Sequence, residues 1–543
     1  MPTTTGLINR QTLQDIADAI RAKDSSASQA MLPSEMAAAI AAIPSGGGGG
    51  GSKYGVSIDA YLGDPDANGV LQKPDSSIVI DVNTGATVVN IAQEALANKF
   101  QGKTEVRSFT APALTQITGY RACYYMCQGC TGLTSVAFPE LENIGRAGLC
   151  YAFQGCTALT SVSFPKVNRV SDKWGLQYGF SGCNQLTSID FSLLESVAEE
   201  GFAYAFNNCT RLASASFSAL TTVGASGFLY AFASSGMQRA YFPLLTQITT
   251  SSAFRRAFNE VDPLQEINFP ELVTVTGYQA FSDGFSKTTS TVTIRAFFPK
   301  LKTVNATSAF YHAFWGRKGL VQIDFSALET ISGNSAFEYA FNYCYALSEV
   351  AFPALKSVTG TNAMVSAFAN IPGITQASLP LLESVSGENA IRSIFYGTGL
   401  TTFSLPSLRT ATGKQAIHSV VADCSSLVSA SFPALTSVSG ELIMENFFYN
   451  CSSLTTVSFP VLASISGNNA LNNMTGNATS LTSISFPALT TVGNANAFST
   501  AFANSGITEA HFRADAQSVI EGLTNYATCF GRGAGNVTFY FDL

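Results

Sequence analysis

The chain has 543 residues and a formal net charge of −7, and 46% of its residues are hydrophobic whereas only 12% are Asp, Glu, Lys or Arg. Soluble proteins usually carry about a quarter of their residues as charges, so Ser, Thr, Asn and Gly must cover this surface. The 40 Phe and 19 Tyr exclude a charged disordered chain, and the acidic balance argues against a nucleic-acid partner.

Residues 1–44 predict a small α-helical anchor made of two amphipathic helices. The apolar positions are Leu13, Ile16 and Ile20 in the first helix and Met36, Ile40 and Ile43 in the second. Helices this short do not bury such faces alone, so we expect them to dock on each other and on a partner or a symmetry mate. We also expect no secretory signal and no membrane span, because the apolar run at 36–43 is far shorter than the ~20 residues that a bilayer requires.

Residues 45–52 form a glycine-rich linker, since Gly46 to Gly51 are all glycine and such a run has no preferred conformation. Residues 53–100 follow as a small α+β adaptor that also caps the next domain. Short β-like pieces at 56–58 and 78–82 and a helical stretch from Val89 to Lys99 predict this composition.

One loop of the adaptor has the ligand order of a calcium site, formed by Asp64, Asp66, Asn68 and Asp75. The alternative is a polar turn, and Pro65 inside the loop favours that alternative. Calcium is therefore the one metal that the sequence suggests, and we otherwise expect no cofactor.

Residues 101–518 repeat one unit. Phe-Pro, or a close variant of it, recurs at sixteen positions from Phe109 to Phe512, which gives a mean period of about 27 residues. The unit reads L-T-S-V-x-F-P-x-L-T-x-V-x-G-x-x-A-F-x-x-A-F-x-N-C. Alternation before the Phe predicts a short strand, and the A-F-x-x-A-F part predicts a helical turn with both aromatics on one face. Stacked coils would share a continuous core, so we expect a β-rich solenoid of about sixteen coils with short helical turns.

Cysteines recur at the turn position of the unit, and Cys123, Cys127 and Cys130 have a spacing that also binds iron–sulfur clusters. Because these positions align with core and turn positions of the repeat, we interpret them as buried thiols. The three histidines, His312, His418 and His511, fall on different coils, and we expect no carboxylate cluster beside His511. No catalytic arrangement appears, so the sequence predicts that the chain is not an enzyme.

The exposed strand positions change character in five adjacent coils. Most coils carry Ser, Thr or Ala there, whereas the central coils carry larger polar and aromatic residues. The candidate ligand-binding residues are Arg239, Tyr241, Glu266, Asn268, Arg295, Phe297, Gln322 and Asp324, with Trp315 in the same region. Such side chains are suited to a glycan or a peptide, and the alternative is an ordinary solvated surface with weak Arg–Glu pairs.

Residues 519–543 differ from the unit and predict a C-terminal cap that ends in a closing strand at 537–541. The repeat as a whole resembles the BspA-type leucine-rich repeats of bacterial surface antigens and related phage proteins. The N-terminal pattern D-I-A-D-A-I-R-x-K followed by L-P-S-E-M-A-x-A-I-x-x-I is similar to a segment common in phage tail-associated proteins.

These resemblances imply a phage virion protein, namely a tail-associated fibre or receptor-binding protein that attaches to a glycan or protein of the host cell surface. The N-terminus would contact other virion proteins, and a homo-oligomer, in particular a trimer, is an expectation from the resemblance. Such a protein would assemble in the host bacterial cytoplasm. A head fibre or capsid decoration protein and a BspA-like bacterial surface adhesin are the alternatives.

Overall fold

The structure is a computed structural model, and it describes residues 78–80, 87–89, 93–94, 96–104, 106–111, 114–286, 290–523 and 537–543. Contacts divide the chain into two compact units, Met1–Ser216 and Phe217–Leu543. Both units are built from the same coil, in which a first strand, a corner, a second strand and a turn segment follow one another.

The first strand ends just before the anchor Phe or Leu in most coils, at the anchor Phe in the last two coils, and one residue after Phe109 in the first coil. In the first unit these strands are Ser108–Thr110, Ser135–Ala137, Ser161–Ser163, Ser188–Asp190 and Ser214–Ser216. In the second unit they are Arg239–Tyr241, Glu266–Asn268, Ile294–Phe297, Leu320–Asp324, Glu349–Ala351, Gln376–Ser378, Thr402–Ser404, Ser429–Ser431, Thr456–Ser458, Ser483–Phe486 and Glu509–Phe512.

The second strand of each coil follows the corner and has two or three residues. In the first unit these strands are Gln116–Ile117, Asn143–Ile144, Arg169–Val170 and Ser196–Val197. In the second unit they are Thr222–Val223, Gln247–Ile248, Thr274–Val275, Thr303–Val304, Thr330–Ile331, Ser357–Val358, Ser384–Val385, Thr410–Thr412, Ser437–Ser439, Ser464–Ser466 and Thr491–Val492.

Strands of successive coils pair in parallel at equivalent positions, as in Arg239 opposite Glu266 and Thr274 opposite Thr303. The register shifts by one residue between Ile294 and Arg295, where the strand pairs with Leu320–Asp324. The predicted β-solenoid is therefore confirmed.

At the corner of most coils Pro follows the anchor, where it fixes the backbone and cannot donate to the ladder. At Phe269 the carbonyl accepts a hydrogen bond from the Leu272 N–H at 3.3 Å, which closes the turn. The same turn also closes where Ser follows the anchor, as from the Leu328 N–H to the Phe325 carbonyl at 3.0 Å.

Anchor and turn-segment aromatics form stacks in the core, which Leu379 and Leu405 interrupt at the anchor position. In the second unit the ring centroids of Phe242 and Phe269 lie 5.0 Å apart, and those of Phe310 and Phe337 lie 4.8 Å apart. All four side chains are buried. A coil cannot bury these rings by itself, so stability is distributed over contacts between neighbouring coils.

The predicted helical turns are wrong. Within a turn segment the Ala257 N–H donates to the Phe254 carbonyl three residues earlier, and Arg256 between them has φ +53°. Alternate N–H groups instead donate to the following coil, as from Phe254 to Ala280 at 2.8 Å. Such left-handed residues recur every fourth position, and a right-handed helix does not tolerate them. We call these stacked segments the turn ladder.

The stacked turns and a helix produce the same spacing of buried aromatic residues. Two consecutive turns also repeat every four residues, so they place Phe254 and Phe258 on the same buried side as a helix would. The predicted helical stretch from Val89 to Lys99 is also not a helix in the residues that the structure describes. The N–H groups of Leu96 and Asn98 belong to turns and donate to the carbonyls of Ala122 and Tyr124 in the next coil. The turn ladder thus begins inside the segment assigned to the adaptor.

The described remainder is small. Ile78–Ile80 and Thr87–Val89 pair as antiparallel strands. At the other end a 3-10 turn, Ala514–Ala516, precedes one short α-helix, Gln517–Glu521. The predicted closing strand is confirmed, since Thr538–Phe541 pairs in parallel with Glu509–Phe512.

Candidate functional site

Eight of the predicted ligand-binding residues lie together on four neighbouring first strands of the second unit. These strands run in parallel and pair in chain order from Arg239–Tyr241 to Leu320–Asp324. One row of aligned residues is Arg239, Glu266, Arg295 and Gln322, and the other is Tyr241, Asn268, Phe297 and Asp324. We call them the strand rows.

The strand rows form a mixed polar and aromatic surface. Arg239 Nε lies 3.5 Å from Glu266 Oε2, and Asn268 Nδ2 donates to Glu266 Oε1 at 3.1 Å. Tyr241 is 48% exposed and so remains available to a ligand. The exposed ion pair contributes at most about 1 kcal/mol to stability, so these charges are not needed to hold the fold.

Trp315 does not belong to the strand rows. It lies in a turn segment, where its ring centroid is 5.9 Å from that of Tyr343 and 6.0 Å from that of His312. These rings border a groove on the turn ladder with a volume of about 460 Å³. This volume is within the roughly 300–1,000 Å³ of small-molecule sites. We call it the aromatic groove.

The groove arises where residue size changes between equivalent positions of four successive coils. One column contains His312, Tyr339, Ser366 and Ser393, the next contains Trp315, Asn342, Ala369 and Tyr396, and Tyr343 and Asn370 belong to a third. Backbone bonds hold these columns in register, as from His312 to Glu338 at 3.1 Å and from Asn370 to Tyr396 at 2.8 Å. Small residues thus form a floor between aromatic walls.

The two walls face each other across two coil spacings. Tyr339 and Tyr343 belong to one coil and Tyr396 to the coil two further on, so about 10 Å separates them at ~4.8 Å per coil. Tyr343 is 39% exposed. A hydrogen bond to Asp423 and partial burial raise the pKa of Tyr396 to about 12, so its hydroxyl stays protonated at neutral pH.

A buried amide is the main polar group of the groove. Asn342 is only 4% exposed, and its Oδ1 has no hydrogen-bond donor among the residues that the structure describes. A buried acceptor without a donor costs roughly 1–3 kcal/mol. A donor placed at this oxygen would remove that cost.

Charged side chains lie at both ends of the groove, with Asp423 beside Tyr396 at one end and an ion-paired cluster around His312 at the other. The His312 imidazole Nδ1 lies 3.7 Å from Asp283 Oδ1, whose other oxygen lies 3.3 Å from Arg256 Nε. Although burial opposes it, these two partners hold the pKa of Asp283 below its ordinary range. The groove lining itself contains no Lys, Arg, Asp or Glu, so it offers no group to pair with an ionic ligand.

The cysteines have the structural role that the sequence predicts. Cys123, Cys127 and Cys130 are fully buried, and Cys130 Sγ donates to the Phe100 carbonyl at 2.9 Å. Across the described ranges no group of three or more His, Cys, Asp and Glu side chains is arranged to hold a metal. Burial raises the pKa of the Cys123 thiol to about 12, which keeps it protonated.

His511 departs from expectation. Its ring stacks on Tyr540 with centroids 4.7 Å apart, and carboxylates of Asp542 and Glu509 lie 3.2 Å and 3.7 Å from its two ring nitrogens. The closing strand brings Asp542 beside it, which the linear spacing did not reveal. His312 and His418 have carboxylate neighbours too, but each with its own partner.

Two sets of predicted residues lie outside the described residues. They are the anchoring residues Leu13, Ile16, Ile20, Met36, Ile40 and Ile43, and the calcium-loop residues Asp64, Asp66, Asn68 and Asp75. In the described part of the chain, no helix combines the length and the apolar character that crossing a membrane requires.

Sequence reasoning missed most of the aromatic groove. Trp315 was predicted, but Tyr339, Asn342, Tyr343 and Tyr396 were not, because the coil-to-coil comparison of residue types concerned the strand positions. Alignment of the turn segments would have revealed the signal, which is a change from aromatic to small residues and back within four coils.

A family model described as a BspA type leucine rich repeat region matches the chain in six overlapping copies, over residues 122–257, 177–313, 228–363, 260–391, 300–420 and 391–523. No curated protein matches the sequence. Solved structures with a similar fold include a leucine-rich repeat protein from Bacteroides ovatus, which is 16% identical over 77% of this chain and 90% of that chain, with a TM-score of 0.39.

The pneumococcal vaccine antigen PcpA is 13% identical over 87% of this chain and 98% of its own, with a TM-score of 0.30. A leucine-rich repeat protein from Eubacterium ventriosum is 16% identical over 65% of this chain and 84% of its own, with a TM-score of 0.24. At these identities the likeness concerns the fold alone.

Proposed function

Because this chain belongs to the BspA-type leucine-rich repeat family, we propose that it is an attachment protein that binds molecules of a cell surface through its repeat domain. The family is one of non-enzymatic repeat scaffolds, as the sequence predicted for this chain. Function in such a scaffold resides in surface side chains that differ from coil to coil.

The aromatic groove is the observation that carries this proposal. It is concave, it is lined by aromatic and uncharged polar side chains, and it contains the unpaired buried acceptor of Asn342. Rigid coils on both sides hold its walls in place, so little conformational freedom is lost on binding. The strand rows remain a prediction and offer a second surface for attachment.

Cell binding tests the proposal directly. Fluorescently labelled full-length protein is incubated with intact Gram-negative bacteria, Gram-positive bacteria and epithelial cells, and bound fluorescence is measured. We expect saturable binding to at least one of these surfaces. The absence of saturable binding to all three would contradict the attachment function.

Two variants then assign the surface. One combines Tyr241→Ala, Arg295→Ala and Phe297→Ala in the strand rows, and the other combines Tyr339→Ala and Tyr343→Ala in the groove. Loss of cell binding in the second variant alone supports the groove. Loss in the first variant alone assigns attachment to the strand rows.

We further propose that the attachment protein is part of a phage virion, as a tail-associated fibre or receptor-binding protein. The support is the sequence of residues 1–44, with its two apolar faces and its resemblance to tail-associated segments, and the glycine linker at 45–52. Virion proteins would contact residues 1–44, and self-association into a homo-oligomer would multiply weak contacts.

Deletion of residues 1–44 tests this placement. If the proposal holds, the shortened chain binds cells like the full chain but is absent from purified particles. Normal incorporation of the shortened chain into particles would contradict anchoring by this segment. Recovery of the full chain with capsids, or with bacterial envelopes, would favour the head-fibre or the bacterial-adhesin alternative.

A further inference from the structure

We infer that the aromatic groove binds a neutral saccharide, with a sugar ring seated between Tyr343 and Tyr396 and a hydroxyl donating to Asn342. This inference rests on the proposed attachment function and names the ligand class. The groove is on the turn ladder and is therefore separate from the strand rows.

The shape of the groove fits a sugar ring or a short chain of them. The ~10 Å between the two walls corresponds to two coil spacings, and the floor between them consists of Ser366, Ala369 and Ser393. The rings of Trp315 and Tyr343 are nearly perpendicular, at 83°, so this pair presents aromatic faces in two directions. The C–H face of a pyranose packs on such surfaces, as apolar groups do on aromatic rings in general.

The polar groups of the groove fit hydroxyls. A sugar hydroxyl is both a donor and an acceptor, so it can satisfy the buried Asn342 amide at its unpaired Oδ1. Ser366 and Ser393 add hydroxyls on the floor, and Asn370 adds an exposed amide. An unpaired buried group of this kind discriminates strongly in favour of a ligand that pairs with it.

The charge distribution excludes ionic ligands as the preferred class. His312 is the only titratable lining residue besides tyrosines, and Asp283 lies beside it. An anionic sugar would meet no Lys or Arg among the lining residues, and it would meet a carboxylate at each edge, that of Asp283 beside His312 and that of Asp423 beside Tyr396. A peptide bound in the groove would not have the sheet edge that accepts and donates backbone hydrogen bonds in strand addition.

Binding is measured with the full chain carrying Trp174→Phe, which leaves Trp315 as the sole tryptophan, since the sequence contains two. The probes are linear tetramers of glucose, galactose, mannose and N-acetylglucosamine, with sialyllactose as the anionic probe and tetra-alanine as the peptide probe. Trp315 fluorescence and calorimetry report binding. We expect saturable binding of at least one neutral tetramer and weaker or no binding of the other two probes.

Matched variants separate a binding role from a structural one. Tyr343→Ala and Asn342→Leu should each weaken binding of that tetramer about tenfold, a change equivalent to ~1.4 kcal/mol. The controls are Tyr278→Ala, which removes another exposed tyrosine, and Asn143→Leu, which removes another buried Oδ1 without a partner in the described residues. Both controls should bind like the parent protein.

Stability distinguishes the two asparagine variants from damaged proteins. Removing a buried unpaired acceptor should leave stability unchanged or raise it in both, so a loss of binding confined to Asn342→Leu reports the ligand contact. If Asn342→Leu fails to fold, Tyr343→Ala still decides the question.

The inference is overturned if no neutral tetramer binds, if sialyllactose or the peptide binds more tightly, or if the groove variants bind like the controls. Because purified sugars replace cells, failure here is separate from failure of the attachment function. Persistent cell binding without sugar binding would leave attachment standing and refute only the saccharide.

Discussion

The guanidinium of Arg317 donates from Nη1 to the carbonyl oxygen of Val261, 56 residues earlier, at 2.7 Å. Arg317 is 2% exposed and also donates to the carbonyls of Phe285 and Phe258. The equivalent position of the next coil is Cys344, whose thiol donates to only one carbonyl, that of Phe314. One arginine therefore satisfies carbonyls of two preceding coils.

Arg317→Met should destabilise the protein strongly, because it leaves three buried carbonyls without donors. Burial lowers the pKa of Arg317 to about 10, so the wild-type side chain is still charged at neutral pH. Charged hydrogen bonds of this kind are each worth ~1.5–3 kcal/mol, so we expect a loss of about 3 kcal/mol or more in unfolding free energy. Urea unfolding measures it, with Cys344→Ala as control. A smaller loss in Arg317→Met than in Cys344→Ala would contradict this role.

Gly440→Ala should disrupt coil stacking. Gly440 has φ +144°, and a Cβ added there would lie 2.2 Å from the carbonyl oxygen of Gly413 in the preceding coil. Relief requires the backbones of two coils to separate, so we expect a loss of roughly 3 kcal/mol or more in unfolding free energy. Gly155 is the control for the effect of backbone conformation alone. Its φ is also positive, at +71°, but a Cβ added there would have its nearest neighbour 4.0 Å away and would not clash. Gly155→Ala should lose only ~1–2 kcal/mol, and equal losses would refute the stacking argument.

Acidification should weaken the fold through His418. This side chain is 7% exposed, its Nε2 lies 3.0 Å from Glu445 Oε2, and its Nδ1 has no partner in the described ranges. Burial lowers the pKa of His418 below its ordinary value of 6.5; Glu445 opposes this shift and Arg392 adds to it.

A histidine with a lowered pKa binds its proton more readily in the unfolded chain. Its contribution to stability is therefore complete above about pH 6.5 and is lost as pH falls from there through the folded-state pKa. Chemical unfolding at a series of pH values should show this decline in the wild type and a shallower one in His418→Gln. Identical pH profiles would show that His418 does not titrate on unfolding.

The buried thiols should resist alkylation in the folded state. Ten described cysteines are free and buried, and burial raises the pKa of Cys209 to about 12. Because the thiolate is the reactive form, iodoacetamide at about pH 8 should modify none of the ten before unfolding. Peptide mass spectrometry after labelling, with and without urea, measures this. Rapid modification of Cys344 in the native protein would contradict its burial.

The repeat period and the strands could be predicted from the sequence because each coil must place Phe and Val inward at fixed spacing. The conformation of the turn ladder could not. Left-handed backbone at Arg256 or Tyr339 is imposed by bonds to the next coil, and neither residue type signals it. The strand rows were predictable for the opposite reason, since a parallel register of equivalent positions follows directly from the period.

The aromatic groove could be predicted only by comparing equivalent positions of several coils. Ser366 and Ala369 are unremarkable in one coil, and they form a floor only because Tyr339 and Tyr396 lie on neighbouring coils at equivalent positions. Concavity here is a property of four coils together.

The hydrogen bonds between coils of the turn ladder all point in the same direction, and this gives the second unit a net dipole. The N–H groups of Phe254, Phe281 and Phe310 all donate toward the following coil, to Ala280, Ala309 and Ala336. Each peptide carries a dipole of about 3.5 D, and these dipoles add along the ladder whereas those of the strands largely cancel. The positive pole therefore faces the C-terminal coils, which is the reverse of an α-helix.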